Sequence, residues 1–118
     1  MRIFLICTVR LGVTEFSEEY VSKLEKEGHQ VHFPPRDTNQ VDPLKGWNIC
    51  KDNKRAIEDA DEIHIIYNPK SQGVHFDMGV AFALSKKVKL ININEWPEEK
   101  AKSKSFLNMI EVWEQKSI

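Results

Sequence analysis

The stretch Glu62-Ile63-His64-Ile65-Ile66-Tyr67-Asn68-Pro69-Lys70-Ser71-Gln72-Gly73-Val74-His75-Phe76-Asp77-Met78-Gly79-Val80-Ala81-Phe82-Ala83-Leu84-Ser85 reads as a strand, a loop and a helix in that order. Glu62 to Tyr67 is rich in isoleucine and ends on tyrosine, the composition that fits a pleated sheet. Asn68 and Pro69 stop it, because proline has no N–H to give to a ladder. Gly73 closes the loop. From Val74 to Ser85 the chain is apolar nearly all round, at Met78, Val80, Ala81, Phe82, Ala83 and Leu84. Such a helix must be covered on most of its sides.

The same grammar extends in both directions. Upstream, Ile3 to Val9 is a first apolar run. Thr14 has the chemistry of an N-cap for a helix that carries Phe16, Tyr20, Val21 and Leu24 at spacings of three and four and stops at Gly28. Gln30 to Phe33 is a second strand, ended by Pro34-Pro35, and a polar loop from Arg36 to Gln40 follows. A second helix runs from Trp47 to Ala60, with Ile49, Cys50, Ala56 and Ile57 facing inward, and Asn53 and Asp61 brace its junction with the next strand. Downstream, Val88 to Ile93 reads as the fourth strand. After Trp96-Pro97 an amphipathic helix over about 104–116 carries Phe106, Leu107, Ile110 and Trp113.

Strands that alternate with helices pair in parallel through right-handed crossovers. The expected fold is α/β: a flavodoxin-like (Rossmann-like) three-layer sandwich with a short parallel sheet in the order 2-1-3-4 and room for a further edge strand. Ligands of such sheets bind outside the carboxyl ends of the strands, where the order reverses, here between strands 1 and 3. That rule gathers Thr8 to Gly12, Pro34 to Asp37 and Asn68 to Asp77 around one crevice.

Composition bounds what the crevice serves. The length of 118 residues suits a single domain over 1–118. A net charge of −1 provides no long-range field for nucleic acid or anionic membranes. No stretch approaches the roughly 20 apolar residues of a membrane span, and the first apolar run is too short for a signal segment, so a cytoplasmic protein is expected. His29, His32, His64 and His75 share no metal-ligand spacing with each other or with Cys7 and Cys50, so no metal is expected. Neither a dinucleotide-binding nor a P-loop glycine pattern occurs, and no cofactor is expected.

The densest chemistry lies at Ser71 to Gly79. Free N–H groups at a helix start favour an anion such as phosphate, with Ser71 adding a hydroxyl and Gly73 letting the backbone come close. The same positive potential is expected to keep Asp77 ionised at neutral pH. An ionised carboxylate beside a bound sugar is an arrangement that attacks an anomeric carbon; the plainer alternative makes Ser71 and Asp77 helix caps. His75 is placed to protonate a leaving base, or else lies in solvent at the helix start. Arg10 suits a phosphate or carboxylate, or an exposed loop. Arg36 and Asp37 suit base or sugar edges, or a local turn. Thr8 and Asn68 stand at the same strand ends.

Ser71-Gln-Gly-Val-His-Phe-Asp-Met-Gly-Val-Ala-Phe-Ala resembles the motif of the nucleoside 2-deoxyribosyltransferase family, in which a small residue and glycine precede an aromatic, a glutamate, an apolar residue, glycine and alanine. Val31 to Asp37 is similar to that family's second strand and loop, and Ala56 to Ile66 to the stretch entering its third strand. The resemblance covers roughly Met1 to Ile93. The Ser71-x-Gly73 form is nearer the branch that hydrolyses deoxynucleoside 5′-monophosphates, where the serine helps to hold phosphate. What the resemblance implies is an enzyme of the N-glycosidic bond that transfers 2-deoxyribose or hydrolyses a nucleotide, on a nucleoside or nucleotide substrate. A non-catalytic nucleotide-binding module of the same fold is the alternative. It implies Asp77 as nucleophile, in place of the family's glutamate and on a stem shorter by about 1.5 Å. It also implies a homo-oligomer in which a neighbour completes each pocket, in keeping with the many-sided apolar helix. The first loop, Cys7-Thr8-Val9-Arg10, departs from the family in lacking a glycine turn.

Overall fold

A computed structural model describes residues 1–97 and 104–118. Strands β1 (Arg2–Ile6), β2 (Gln30–His32), β3 (Glu62–Ile65) and β4 (Val88–Leu90) form one parallel sheet in the order β2-β1-β3-β4. Between them run helices α1 (Glu15–Lys26), a one-turn α2 (Pro34–Asp37), α3 (Trp47–Asp59) and α4 (Gln72–Ala83), with α5 (Phe106–Lys116) after β4. The order is the expected one, and Leu5 pairs with His64 and Phe4 with His32 across the centre.

Alternation along β1 sorts the core. Ile3 and Leu5 turn to one face, where α1 lays Val21 and Leu24 against them with Val31 and Phe33. Phe4 and Ile6 turn to the other, where Ile57 of α3, Val74, Met78 and Ala81 of α4, and Leu107 and Ile110 of α5 close over Ile63 and Ile65. Helix, sheet and helix make three layers. α1 begins on the Thr14 hydroxyl, which accepts from Ser17 N at 3.1 Å, and is followed by Gly28 at φ 94°, a left-handed turn glycine adopts freely.

All four strands are shorter than their apolar runs, β2 by one residue, at His32 rather than Phe33. β1 stops at Ile6 rather than Val9, β3 at Ile65 rather than Tyr67, and β4 at Leu90 rather than Ile93. Tyr67 illustrates why: its N–H donates to Asn92 Oδ1 at 2.7 Å, and Asn92 Nδ2 donates back to its carbonyl at 2.8 Å, so a side chain replaces the ladder. Pro34 and Pro35 open the one-turn α2 where a polar loop was expected, since proline presets the helical φ and needs no partner in the first turn.

Among the described residues no further edge strand joins the sheet. The free edge of β4 is closed by α5 instead: Val88 N donates to Ser117 Oγ at 3.1 Å and Leu90 N to Glu114. Trp113 Nε1 adds a hydrogen bond to Lys86 O at 3.0 Å. Covering an edge with a helix removes the template for pairing with another chain.

α4 is covered less than its composition requires. Val74, Asp77, Met78 and Ala81 are buried, while Phe76 and Phe82 stay 54% and 60% exposed. No helix among the described residues is long and apolar enough to cross a membrane.

Candidate active site

A cavity of about 860 Å³ opens at the carboxyl ends of β1 and β3, between the loop after β1, the segment ahead of α3, and the start of α4. The loop after β1 contributes Cys7, Arg10 and Leu11. The second segment contributes Gln40, Asp42 and Lys45, and α3 adds Ile49, Cys50 and Asn53. Lys70, Ser71, Gln72, Gly73, Phe76 and Asp77 form the third side.

Local rules set most of these positions. Ser71 is the N-cap of α4, its Oγ accepting from Val74 N at 3.2 Å. Asn68 Oδ1 accepts from Lys70 N at 2.9 Å and Asn68 O from Ser71 N at 3.2 Å, which folds the loop tightly before the helix. Asp42 takes the place of a side-chain cap for α3: its carboxylate accepts from Leu44 N at 2.9 Å and from Ile49 N at 3.0 Å. A Cβ added at Gly73 would meet nothing of the chain nearer than Ser71 Oγ at 4.0 Å. Neither backbone nor packing therefore demands glycine there, and the open cavity beside it is what a side chain would enter.

Asp77 sits in the second turn of α4 with 8% of its surface exposed. Among the described residues its hydrogen-bond partner is Asn53, whose Nδ2 donates to Oδ2 at 3.4 Å. Burial pushes the carboxyl up to about 7, against the pull of that hydrogen bond. This corrects the expectation of a carboxylate held ionised by the helix. Asp77 lies beyond the first turn, where the dipole is felt, and burial prevails. Cys7 is pushed up to about 12 by burial and then by the Asp77 charge. Cys50 moves up as well, through burial first and the charges of Asp77 and Asp42 after it. Both are neutral thiols, which are poor nucleophiles.

Of the residues singled out in the sequence, Arg10, Ser71, Gly73 and Asp77 meet at this cavity. Thr8, Arg36, Asp37, Asn68 and His75 do not line it. Arg36 turns to α1 and β2: it pairs with Glu25 at 3.1 Å, with Asp37 at 2.8 Å, and donates to Val31 O at 3.0 Å. Asp37 also accepts from Phe33 N at 2.8 Å, capping α2, and although burial works to raise it, Arg36 and that N–H hold it below the usual range. Both are engaged in a local brace beside β2, outside this cavity. Thr8 Oγ1 accepts from Leu11 N at 3.3 Å and shapes its own loop. Asn68 is likewise a loop-former. His75 lies on the other flank of α4, Nδ1 at 2.8 Å from Ser71 O and its ring edge-on to Tyr67 and Phe106. It does not line the cavity. Asp61 accepts from Arg2 N at 2.8 Å, the brace expected of it.

Sequence reasoning missed Asn53, read as a brace at the helix end, and Thr38, which touches it. Lys45 was also missed, and Lys70, within the stretch expected at the crevice, was given no role. Among the described residues no group of three or more His, Cys, Asp or Glu is placed to hold a metal ion.

The sheet order and the cavity at its switch point define an α/β fold of the flavodoxin-like kind. One solved structure similar to it is the CMP N-glycosidase BcmB of Clostridium botulinum, with a TM-score of 0.53 and 19% identity over 94% of this chain and 99% of that one. At that identity the likeness is one of fold. No protein-family model matches the chain, and no curated protein matches it in sequence.

Proposed function

We propose that this protein acts on the N-glycosidic bond of a nucleoside or nucleotide, by hydrolysis or by transfer of the sugar, with Asp77 as the nucleophile. The observation that carries the reading is Asp77 itself: a desolvated carboxylate with one weak partner on the wall of a cavity large enough for a nucleotide. Its raised proton affinity makes the ionised form costly to the fold, and a cost of that kind persists where the group works. The fold shared with a CMP N-glycosidase adds support.

In this reading one oxygen of Asp77 bonds to C1′ as the C1′–N bond breaks, and its electron pair leaves with the base. The base takes a proton from water at the cavity mouth, because His75 does not line the cavity. Water, or a second base, then releases the sugar from the ester. Ser71, Gly73 and Arg10 hold sugar or phosphate, with Lys45 and Lys70 adding positive charge to the same cavity. A second copy of the chain covers the exposed side of α4 and narrows the opening.

A second reading, a nucleotide-binding module without turnover, draws on the shallow reach of Asp77. Aspartate ends about 1.5 Å short of a glutamate, and misplacement near 1 Å costs on the order of 100-fold in rate. Incubation with a panel of nucleosides and their 5′-monophosphates, followed by chromatography for free base, separates the two. Base from any member supports the enzyme; binding without base supports the module.

A further inference from the structure

Asp77 is the end of a chain of side chains that begins on the edge strand β2. His32 Nε2 and Thr38 Oγ1 are 2.8 Å apart, Thr38 Oγ1 donates to Asn53 Oδ1 at 2.7 Å, and Asn53 Nδ2 reaches Asp77 Oδ2 at 3.4 Å. The proton count sets the direction. Thr38 has one hydroxyl proton and gives it to the amide oxygen, so its own oxygen accepts from His32 Nε2–H. An amide whose oxygen is taken has only its NH2 left to present to Asp77. Thr38 and Asn53 are both buried, which keeps water from substituting for either. His32 is steadied by stacking on Phe4, centroids 5.2 Å apart and planes within 7°, and Gln40 Nε2 holds the carbonyl of Thr38 at 3.1 Å.

We propose that Thr38 and His32 are positioning residues for Asp77: they lock the Asn53 amide with its NH2 toward Oδ2, leaving Oδ1 as the oxygen that faces the cavity. This rests on Asp77 being the working carboxylate. Without the lock, the Asn53 amide is free to rotate and to set its oxygen against the carboxylate, which disfavours the ionised form. The titratable and charged groups that share the cavity with Asp77 are Cys7, Arg10, Asp42, Lys45, Cys50 and Lys70. None of them belongs to the chain of hydrogen bonds, and the two thiols stay neutral throughout.

The test is the titration of Asp77, followed through its carboxyl carbon by NMR in the whole protein, with no turnover needed. Thr38→Val should raise the midpoint by about half a pH unit, the lower end of what a hydrogen bond contributes, since the contact at Oδ2 is long. Thr38→Ser should bring it back. Asn53→Ala should raise it at least as far, and Thr38→Val added to Asn53→Ala should change nothing more. A midpoint unmoved by Thr38→Val, or moved equally in the Asn53→Ala background, overturns the proposal. If Thr38→Val does not fold, His32→Phe keeps the ring on Phe4 and removes the donor; a smaller upward shift supports the lock and an unmoved midpoint overturns it. A protein that shows the coupling yet releases no base loses the enzymatic reading and keeps the lock.

Discussion

Asn53 and Asp77 meet across the contact between α3 and α4 at 3.4 Å, a hydrogen bond too long to offset the burial of the carboxylate. Folding therefore raises the Asp77 pKa from 3.8 to about 7. The folded protein takes up a proton that the unfolded chain has already lost. Stability is gained as pH falls from 7 toward 4, and above about 7 the full cost is present.

That sign predicts the effect of Asp77→Asn. The amide has nearly the same shape and no charge, so at pH 8 the variant should be more stable than the wild type, by up to about 4 kcal/mol. The gain should shrink to near zero by about pH 4. Thermal melts across this range check it; a variant that melts below the wild type at pH 8 contradicts the account of Asp77.

Gly73 should separate stability from binding. It lies in the first turn of α4 with no demand from φ and only Ser71 Oγ, at 4.0 Å, in reach of an added methyl. Gly73→Ala should hold or raise the melting temperature, since alanine is favoured in a helix by about 0.5–1 kcal/mol. Nucleotide affinity should fall, because the methyl enters the cavity. Loss of stability with unchanged affinity, read by melting and calorimetry, would reverse the assignment.

Arg10, Lys45 and Lys70 line the cavity with Ser71, so 5′-monophosphates should bind better than nucleosides. A hydrogen bond to a charged group is worth roughly 1.5–3 kcal/mol, about ten- to a hundredfold in affinity. Arg10→Ala should remove most of that preference in calorimetry. Equal affinities in the wild type point to a plain nucleoside site.

Phe82 at 60% exposure and Trp47 at 64% leave apolar surface on α4 and at the start of α3. We expect a second copy of the chain to cover part of this surface, and closed symmetry makes a dimer the first expectation. Light scattering should give a multiple of 13.7 kDa at micromolar concentration, with Phe82→Glu shifting it toward one chain. A wild-type monomer under those conditions contradicts the oligomer.

The strand order and the place of the crevice were legible because strand, loop and helix are written locally, in runs such as Ile63 to Tyr67 and stops such as Pro69. The strand ends were not, since apolar residues continue past the last ladder pair; Tyr67 is buried but tied to Asn92. Ser71 and Asp77 could be seen because one helix carries both. Asn53 could not: its link to Asp77 spans 24 residues and arises only when α3 packs on α4. Arg36 shows the reverse difficulty. Its charge beside the crevice is plain in the sequence, whereas Glu25 and Val31 O, which hold it away, come from a helix and a strand further back.

The most direct test of the central claim compares wild type, Asp77→Ala and Asp77→Glu for free base released from nucleosides and 5′-monophosphates, CMP and the deoxynucleotides among them, between pH 5 and 9. The account predicts base from the wild type, with a rate that rises through about pH 7 as Asp77 ionises. It predicts none from folded Asp77→Ala, and activity retained or raised in Asp77→Glu, whose longer stem reaches further toward C1′. Equal base release by wild type and Asp77→Ala, or no base from any nucleotide at any pH, would contradict it.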